Sequence, residues 1–287
     1  MIALLLAASA FSWADAGPSD RIALQPGADA AITSVGIAAF LIPELLRGKL
    51  APERCNICDG LDNSGLPNLR PAGSPGASVN GLDAWWHDAM TGWILERKTA
   101  DTASNVWVYA LLPLGTIAGA LTATGPYASD GAGLRAAVVV LEASAVSAAL
   151  VQSVKFFAAR KRPFVRYDHA ELSGAYAFDD ADSHLSLPSG HTAFATTLGV
   201  SLAMTATLEE SPAAPWLWGA AAAATVTTAS LRMIAEKHYF TDVAAGAAIG
   251  AACGVALPLL HRRGSPLSGG SLSVGAQGPA VALSGAF

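Results

Sequence analysis

The chain of 287 residues alternates between long stretches without charge and short segments in which the charged residues gather. Five stretches carry at most one charge, and a shorter sixth covers 30–43; the five are 102–129, 136–154, 192–208, 211–231 and 243–260. Each of the five reaches or approaches the ~20 residues that cross a bilayer as a helix. None has the alternation of a β-strand. The pattern predicts an all-α fold: a helical bundle of about five to six mostly membrane-spanning helices.

These predicted helices are rich in Ala and Gly rather than Leu and Ile, which leaves a second interpretation open. Such helices insert less favourably into a membrane and could instead be buried in a compact soluble bundle. Small residues also suit close helix packing within a membrane. The length of the charge-free stretches favours the membrane.

Composition excludes several other classes of protein. The chain is 52% hydrophobic and 14% charged, whereas soluble domains carry about 25% charged residues. The same composition excludes disorder over most of the length. Seventeen basic residues against 22 acidic ones give a net charge of -5. No basic field attracts a phosphate backbone, so we expect no nucleic-acid partner.

The ends of the chain suggest a division into four parts. An apolar run over 2–13 followed by the small residues Ala14-Asp15-Ala16 predicts a signal peptide at 1–16, although a basic start is missing. The alternative is a short apolar helix that stays attached. An N-terminal extension (17–103), a core (104–262) and a Gly/Ser-rich tail (263–287) would follow. In the tail, Leu272, Val274 and Ala276 alternate with small or polar residues, which allows a short strand.

The N-terminal extension carries one helical pattern. Leu82, Trp86, Ala89 and Trp93 recur at helical spacing and predict a short amphipathic helix. The tryptophans at 85, 86 and 93 fit either a membrane interface or packing against the bundle.

The three cysteines comprise a C-x-x-C pair, Cys55 and Cys58, and a lone Cys253 in an apolar run. A single pair without a second pair or a nearby pair of histidines makes a poor zinc site. In an exported chain we expect Cys55 and Cys58 to form a small disulfide loop, with a redox or metal role as the alternative.

Three polar clusters lie at the ends of the charge-free stretches, where ionisable residues are functional candidates. They are Lys155 with Arg162-Pro163; Pro188-Ser189-Gly190-His191; and Arg232, His238 and Asp242.

The first cluster has the spacing of an anion site. Lys155 and Arg162 are two helical turns apart, so a helix ended by Pro163 would point both to one side. Because Arg160-Lys161-Arg162 is a basic run, it also fits a cytoplasmic flank under the positive-inside rule.

The second cluster precedes the stretch 192–208. Gly190 would let backbone N–H groups approach a ligand, and the start of a helix favours an anion. The alternative is that Ser189 only caps the helix and that His191 is a surface residue.

The third cluster pairs a histidine with a carboxylate. His238 and Asp242 are four residues apart, neighbours on one face of a helix. The carboxylate could hold the proton on one ring nitrogen and leave the other as a nucleophile, or the pair could be a simple surface hydrogen bond. Arg232 reaches the same ligand only if the helix breaks before His238.

The three clusters together favour an anion as their ligand. Three cations with backbone N–H groups suit phosphate, and because Lys and Arg are not metal ligands we expect no metal here.

Together the clusters resemble the signature of the type 2 phosphatidic acid phosphatase (PAP2) superfamily, to which the vanadium haloperoxidases also belong. Order and spacings agree, except that Leu231 stands where the signature has Ser, with Ser230 one position earlier. The resemblance implies that His238 attacks phosphorus and forms a phosphohistidine, that Asp242 orients it, and that His191 protonates the leaving oxygen and then activates water. It implies no cofactor, and it assigns the phosphate oxygens to Lys155, Arg162, Ser189, Gly190 and Arg232.

A phosphate site at the ends of spanning helices suits a lipid phosphate as substrate, with membrane lipids around it. The alternatives are a soluble periplasmic acid phosphatase of broad specificity, a vanadium-dependent haloperoxidase and a non-catalytic membrane protein that binds phospholipid. The motifs do not choose among phosphate substrates, and the oligomeric state is left open.

The number of membrane crossings that precede the three clusters decides on which side of the membrane they lie. If the signal is cleaved and 30–43 does not span, the three clusters emerge outside and His261-Arg262-Arg263 stays inside, in line with the positive-inside rule. If the signal is cleaved and 30–43 spans, the clusters fall inside. If the N-terminal segment stays as an uncleaved span and 30–43 also spans, the clusters again face outside. The short length of 30–43, with Pro43 and Glu44 at its end, favours the first arrangement. We therefore expect a protein of the bacterial cell envelope whose site faces the periplasm or exterior.

Overall fold

The fold was analysed in a computed structural model. It describes residues 21–52, 56–57, 80–91, 95–124, 131–167, 181–265, 271–277 and 280–286. The predicted signal peptide, both cysteines of the C-x-x-C pair and Trp93 lie outside the described residues.

The described residues form the predicted helical bundle. Six long helical segments run along it: α1 (Pro26–Leu45), the segment Arg97–Ala123, α6 (Ala132–Ala158), α8 (Gly190–Leu208), α9 (Ala214–Ile234) and α10 (Phe240–Leu260). The second segment consists of α4 (Arg97–Val106) and α5 (Leu112–Gly119), with π-helical turns at Trp107–Leu111 and Ala120–Thr124. The short helices are α2 (Arg47–Leu50), α3 (Gly81–Met90), α7 (Pro163–Tyr167) and a 3₁₀ turn at Ala181–His184.

The prediction of an all-α fold is confirmed, with one small addition. The tail forms an antiparallel hairpin of β1 (Ser271–Gln277) and β2 (Ala280–Ala286), which pairs Ser271 with Ala286. The strand expected from the alternation in the tail is therefore present, and a second strand covers it.

One predicted element was too short. The stretch 30–43 belongs to a 20-residue helix that runs from Pro26 through Pro43 to Leu45. The length was underestimated because both ends of this helix carry an acidic residue, Asp29 in the first turn and Glu44 in the last. The expectation that this stretch is too short to span is wrong, since the whole helix is long and apolar enough to cross a membrane.

Four helical segments are long and apolar enough to cross a membrane: Pro26–Leu45, Arg97–Ala123, Ala132–Ala158 and Phe240–Leu260. Side chains such as Leu114, Tyr109 and Val226 point outward and are more than half exposed. Helix α8 lies at the centre, against α6, α9 and α10, and its buried threonines bond to backbone carbonyls of their own helix one turn back.

Three glycines let α10 approach α8 closely. A β-carbon at Gly246 would lie 2.4 Å from the Ser189 carbonyl, and one at Gly250 would lie 2.4 Å from that of Ala193. Gly254 continues the row four residues later, with 2.9 Å to Val200. Small residues at a four-residue spacing bring two helix backbones together. This packing fixes the start of α8 against the start of α10.

The six segments alternate in direction, so the bundle has two ends. At one, which we call the cluster end, α1 stops and α10 begins; Arg47 lies 3.4 Å from Asp182 there. At the other, the far end, α1 begins and α10 stops; Ile22 pairs with Arg262 there. All three polar clusters lie at the cluster end.

The N-terminal extension contributes directly to the cluster end. In the predicted amphipathic helix, found as α3, Trp86 stacks on Phe240 with ring centroids 5.0 Å apart, while Trp85 is 60% exposed. Between the two cysteines, Asn56 and Ile57 bond to the backbone of residues 159–161.

Candidate active site

Each cluster lies where a helix begins or ends at the cluster end, which brings all three together. Helix α6 ends at Ala158 because Ala159 takes a left-handed backbone (φ 42°). Helix α9 ends at Ile234 and α10 begins at Phe240, so the predicted break between Arg232 and His238 is confirmed. The helix containing Lys155 ends before Pro163, so the expectation that one helix carries both Lys155 and Arg162 was wrong.

His238 lies in the loop between α9 and α10 and is 2% exposed. Its Nδ1 lies 2.7 Å from the backbone carbonyl of Ser186, so Nδ1 carries the hydrogen and donates it. The other nitrogen, Nε2, lies 3.1 Å from a terminal nitrogen of Arg162. The ring therefore presents an unprotonated Nε2 to a guanidinium.

The expected bond between His238 and Asp242 is replaced by a longer contact. His238 precedes α10, whereas Asp242 lies in its first turn, and Nδ1 is 3.7 Å from Asp242 Oδ2. Asp242 instead accepts bonds from Ser186 Oγ (2.5 Å), from the Tyr239 backbone N–H (2.9 Å) and from Arg160 (2.6 Å). Ser186 thus joins the two: its carbonyl holds His238 and its hydroxyl holds Asp242.

Arg160 and Asp83 are functional candidates that sequence reasoning missed. Arg160 is 4% exposed and donates to Asp242 and, at 2.8 Å, to Asp83 of α3. Its guanidinium also lies 4.2 Å from the ring centroid of Tyr239. Asp83 further accepts from the Thr241 backbone N–H and hydroxyl. The basic run Arg160-Lys161-Arg162 was a signal for Arg160, but nothing in the sequence pairs it with an acid 77 positions away.

Arg162 is held by two backbone carbonyls and by the carboxylate of Asp182. It donates to the carbonyls of Asp182 (2.9 Å) and Lys237 (2.7 Å) and to the Asp182 carboxylate (2.8 Å). Burial would raise the pKa of Asp182, but Arg162, Lys155 and Lys237 outweigh it and hold that pKa well below its usual range. Asp182 is therefore an anion that fixes the guanidinium beside His238.

Arg232 reaches the site from the last turn of α9. It donates to Asp101 at 2.6 Å and to the Ser104 hydroxyl at 2.8 Å, and it is 4% exposed. Its Nε–H is buried and, within the described part of the chain, has no hydrogen-bond acceptor. A buried donor without a partner costs stability, and a bound anion would supply the acceptor.

The start of α8 holds the second cluster. Ser189 is the N-cap, accepting from Thr192 N–H at 3.4 Å, so its capping interpretation is confirmed. Lys155 lies beside Gly190, since a β-carbon there would be 3.4 Å from the ammonium nitrogen. His191 is not a free surface residue: its Nε2 lies 2.7 Å from Asn105 Oδ1 and its ring meets Tyr109 edge-on. Asn105 is a third residue that the motifs did not reveal.

The cations around His238 keep it neutral. Burial lowers the pKa of His238 well below 6.5, and Arg162, Arg232 and Lys155 lower it further. Burial and Arg162 likewise lower the pKa of Lys237, the preceding residue, to about 8. A neutral imidazole among cations is suited to attack an anion.

The predicted site residues are thus brought together at the cluster end, and their surroundings are cationic rather than metal-binding. Among the described residues, the one group of His and carboxylate side chains close enough to share an ion is Asp29, Glu142 and His261, at the far end.

Residues 136–265 match the family model of the PAP2 superfamily, a stretch that contains all three clusters. No curated protein and no solved structure matches the chain. The position of the match agrees with the clusters in sequence and with their convergence around His238. Over residues 136–265 the chain is therefore similar to the same superfamily that its three clusters resemble, whose members are in general phosphatase-type enzymes.

Proposed function

We propose that the protein is a membrane phosphatase that hydrolyses a phosphomonoester or diphosphate of a lipid, through a phosphohistidine on His238 and without a metal at this site. The arrangement of the His238 ring carries the proposal. Nδ1–H is held by the Ser186 carbonyl, while Nε2 points at Arg162. An unprotonated nitrogen that accepts a hydrogen bond from a fixed cation is suited to attack a phosphate that this cation binds.

In the first step the Nε2 electron pair of His238 forms a bond to phosphorus as the bond to the leaving oxygen breaks. That bond's electron pair leaves with the oxygen, which takes a proton from His191 in its imidazolium form, and the ring is left neutral for the second step. Asn105 Oδ1 lies 2.7 Å from His191 Nε2 and orients the ring. In the second step His191 takes a proton from water, whose oxygen attacks phosphorus and releases His238.

Three cations stabilise the charge on the phosphoryl oxygens. Arg162 is oriented by Asp182, and Arg232 by Asp101 and Ser104, so neither guanidinium has to reorganise during the reaction. The Lys155 ammonium has no hydrogen bond or ion pair among the described residues and lies beside the start of α8. In phosphoryl transfer, positioning and charge stabilisation supply most of the catalysis.

Exposed apolar side chains at the cluster end favour a lipid substrate. Leu45 and Phe157, near the ends of α1 and α6, are each 80% exposed, and Trp85 on α3 is 60% exposed. A soluble protein seldom presents this much apolar surface beside a charged pocket. A lipid could lay its chains on these residues while its phosphate reaches Arg162.

We further propose that the cluster end faces the outside of the cell. Six crossings would then leave Arg21, Arg262 and Arg263 inside, in agreement with the positive-inside rule. Because α1 is long enough to span, this orientation also requires residues 21–25 to lie inside. An exported, cleaved N-terminus followed by a spanning α1 would give the reverse orientation.

The test is phosphate release and trapping of the phosphoenzyme by purified protein in detergent. Wild type should release phosphate from phosphatidic acid faster than from a soluble aryl phosphate, and denaturation during turnover should trap an acid-labile phosphoenzyme. His238→Gln should lose the trapped species and at least about 10⁴-fold in rate, because the nucleophile is gone. His184→Gln, a partly buried histidine outside the site, is the matched control.

Each other outcome identifies a different function. Equal rates in wild type and His238→Gln would refute the enzyme proposal and favour a lipid-binding protein. Faster hydrolysis of the soluble ester, by protein that stays in solution without detergent, would favour a soluble acid phosphatase. Vanadate-dependent bromination without phosphate release would favour a haloperoxidase.

A further inference from the structure

A second buried cluster lies at the far end, away from the phosphate site. Asp29 comes from the first turn of α1, Glu142 from the middle of α6, and His261 follows the last residue of α10. These residues are 6%, 1% and 8% exposed. Two carboxylates buried within candidate spans are costly and require a cationic partner.

The three side chains converge on a single point. His261 Nε2 lies 3.2 Å from Glu142 Oε2 and 3.3 Å from Asp29 Oδ1. Glu142 Oε2 is buried and has no well-aligned hydrogen-bond donor among the described residues. It is therefore aimed into the cluster without being satisfied there by a hydrogen bond.

The remaining atoms of two ligands are already held by the backbone. His261 Nδ1 lies 2.8 Å from the Leu257 carbonyl, so Nδ1 carries the hydrogen. Asp29 Oδ2 accepts the Gln25 N–H at 2.8 Å, which leaves Oδ1 facing the histidine. Histidines that bind metals nearly always donate their second ring N–H in this way. Nε2 therefore faces two anionic oxygens, a position that either a proton on Nε2 or a shared metal cation stabilises, and a metal ion would bind there by displacing that proton.

We propose that Asp29, Glu142 and His261 bind a divalent first-row metal ion such as Zn²⁺, which ties α1 and α6 to the end of α10. One imidazole and two carboxylates form a mixed N/O set that this class of ion accepts. Two ligand atoms bound at about 2.0–2.1 Å in a tetrahedral shell lie about 3.3 Å apart, which agrees with the 3.2 and 3.3 Å observed. The ion has a structural role and takes no part in phosphate chemistry, because the phosphate site lies at the cluster end.

The experiment is a Co²⁺ titration of detergent-purified, metal-stripped protein, followed by its visible absorption. All variants carry Cys55→Ser and Cys58→Ser so that thiolates cannot bind the ion. We expect one Co²⁺ per chain and a Kd raised about 100-fold or more in His261→Gln and in Glu142→Gln. His184→Gln, which keeps all three ligands, should titrate like the parent.

Thermal unfolding provides a second readout that does not depend on spectra or activity. A hundredfold excess of Zn²⁺ over its Kd should raise the Tm of the parent by about 5 °C or more, and leave that of Glu142→Gln unchanged. Asp29→Asn tests the same point should His261→Gln fail to fold. Equal Co²⁺ affinity in parent and ligand variants, or no binding up to about 1 mM, would overturn the proposal. The cluster would then be an ion pair between a protonated His261 and its two acids.

Discussion

Two buried histidines flank the same helix, His238 before the first turn of α10 and His261 after its last. Both donate Nδ1–H to a backbone carbonyl, that of Ser186 for His238 and that of Leu257 for His261. In both rings Nε2 is therefore the nitrogen that faces the neighbouring side chains. The surroundings are opposite. His238 Nε2 faces the Arg162 guanidinium, whereas His261 Nε2 faces two carboxylates.

The difference in charge reverses the titration of the two rings. Burial and neighbouring cations lower the pKa of His238 well below 6.5. Burial also lowers that of His261, but hydrogen bonds to Asp29 and Glu142 raise it to about 10 overall. The helix dipole acts in the same sense, since its positive end lies near His238 and its negative end near His261. In our proposals His238 attacks an anion, whereas His261 loses its Nε2 proton when a metal ion takes that proton's place between the two acids.

The largest expected effect is a difference in cysteine labelling between the cluster end and the far end, which the proposed orientation places on opposite sides of the membrane. Cysteine introduced by Lys98→Cys at the cluster end, in a Cys55→Ser/Cys58→Ser background, should react with an impermeant maleimide on intact cells. Arg263→Cys, exposed at the far end, should react only after lysis. The remaining Cys253 is buried at 6% exposure and provides the unlabelled background. Labelling of Arg263→Cys alone on intact cells would reverse the proposed orientation, and labelling of both would contradict six crossings.

The second-largest expected effect concerns Arg160, which supports the loop of His238 at the cluster end. Arg160→Gln removes the link between Asp242 and Asp83, and we expect kcat to fall about 100-fold with KM little changed, because Arg160 positions the loop of His238 rather than binding phosphate. Asp83→Asn should behave similarly, and the double variant should lose less than the product of the two effects. Arg160→Lys should recover part of kcat.

The matched control for this cycle is Lys98→Gln, an exposed cation on α4 near the same end. Independent, multiplicative losses in the double variant, or a rise in KM equal to the fall in kcat, would show that Arg160 and Asp83 do not act as one unit. Measurement requires steady-state phosphate release on purified protein with comparable Tm values.

The helical segments and several site residues could be predicted from the sequence alone, whereas their partners could not. Charge-free length located the six segments, and fixed spacings located Lys155, Arg162, His191 and His238, because both are local properties of the chain. The partners Asp83, Asn105 and Ser186 could not be predicted, since packing brings them in from distant positions. The extent of α1 was missed because Asp29 and Glu44 make its ends look polar. Asp29 is a partner in the far-end cluster, and Glu44 lies 3.3 Å from Gln152 at the other end of the helix.

The smallest effect concerns Lys237, next to His238, whose ammonium lies 5.0 Å from the Phe164 ring centroid. Its pKa is lowered to about 8, so the ammonium is charged below pH 8 and loses its charge as the pH rises through that value. His238 stays neutral throughout this range, because its own pKa lies well below 6.5. A change in substrate binding between pH 7 and 9 is therefore not a change in the nucleophile, and variants of Lys237 measure the part that this cation contributes.

We expect KM for a phosphomonoester to rise about fivefold from pH 7 to pH 9, equivalent to about 1 kcal/mol for a partly screened contact with phosphate. Lys237→Met should have the higher KM at both pH values, and Lys237→Arg should keep the lower KM at both, because its guanidinium does not deprotonate in this range. Lys98→Met, far less buried, should retain the wild-type profile. A KM that rises equally in wild type and Lys237→Met would assign the pH dependence to another group, and the cations that select the anion would then be Lys155, Arg162 and Arg232 alone.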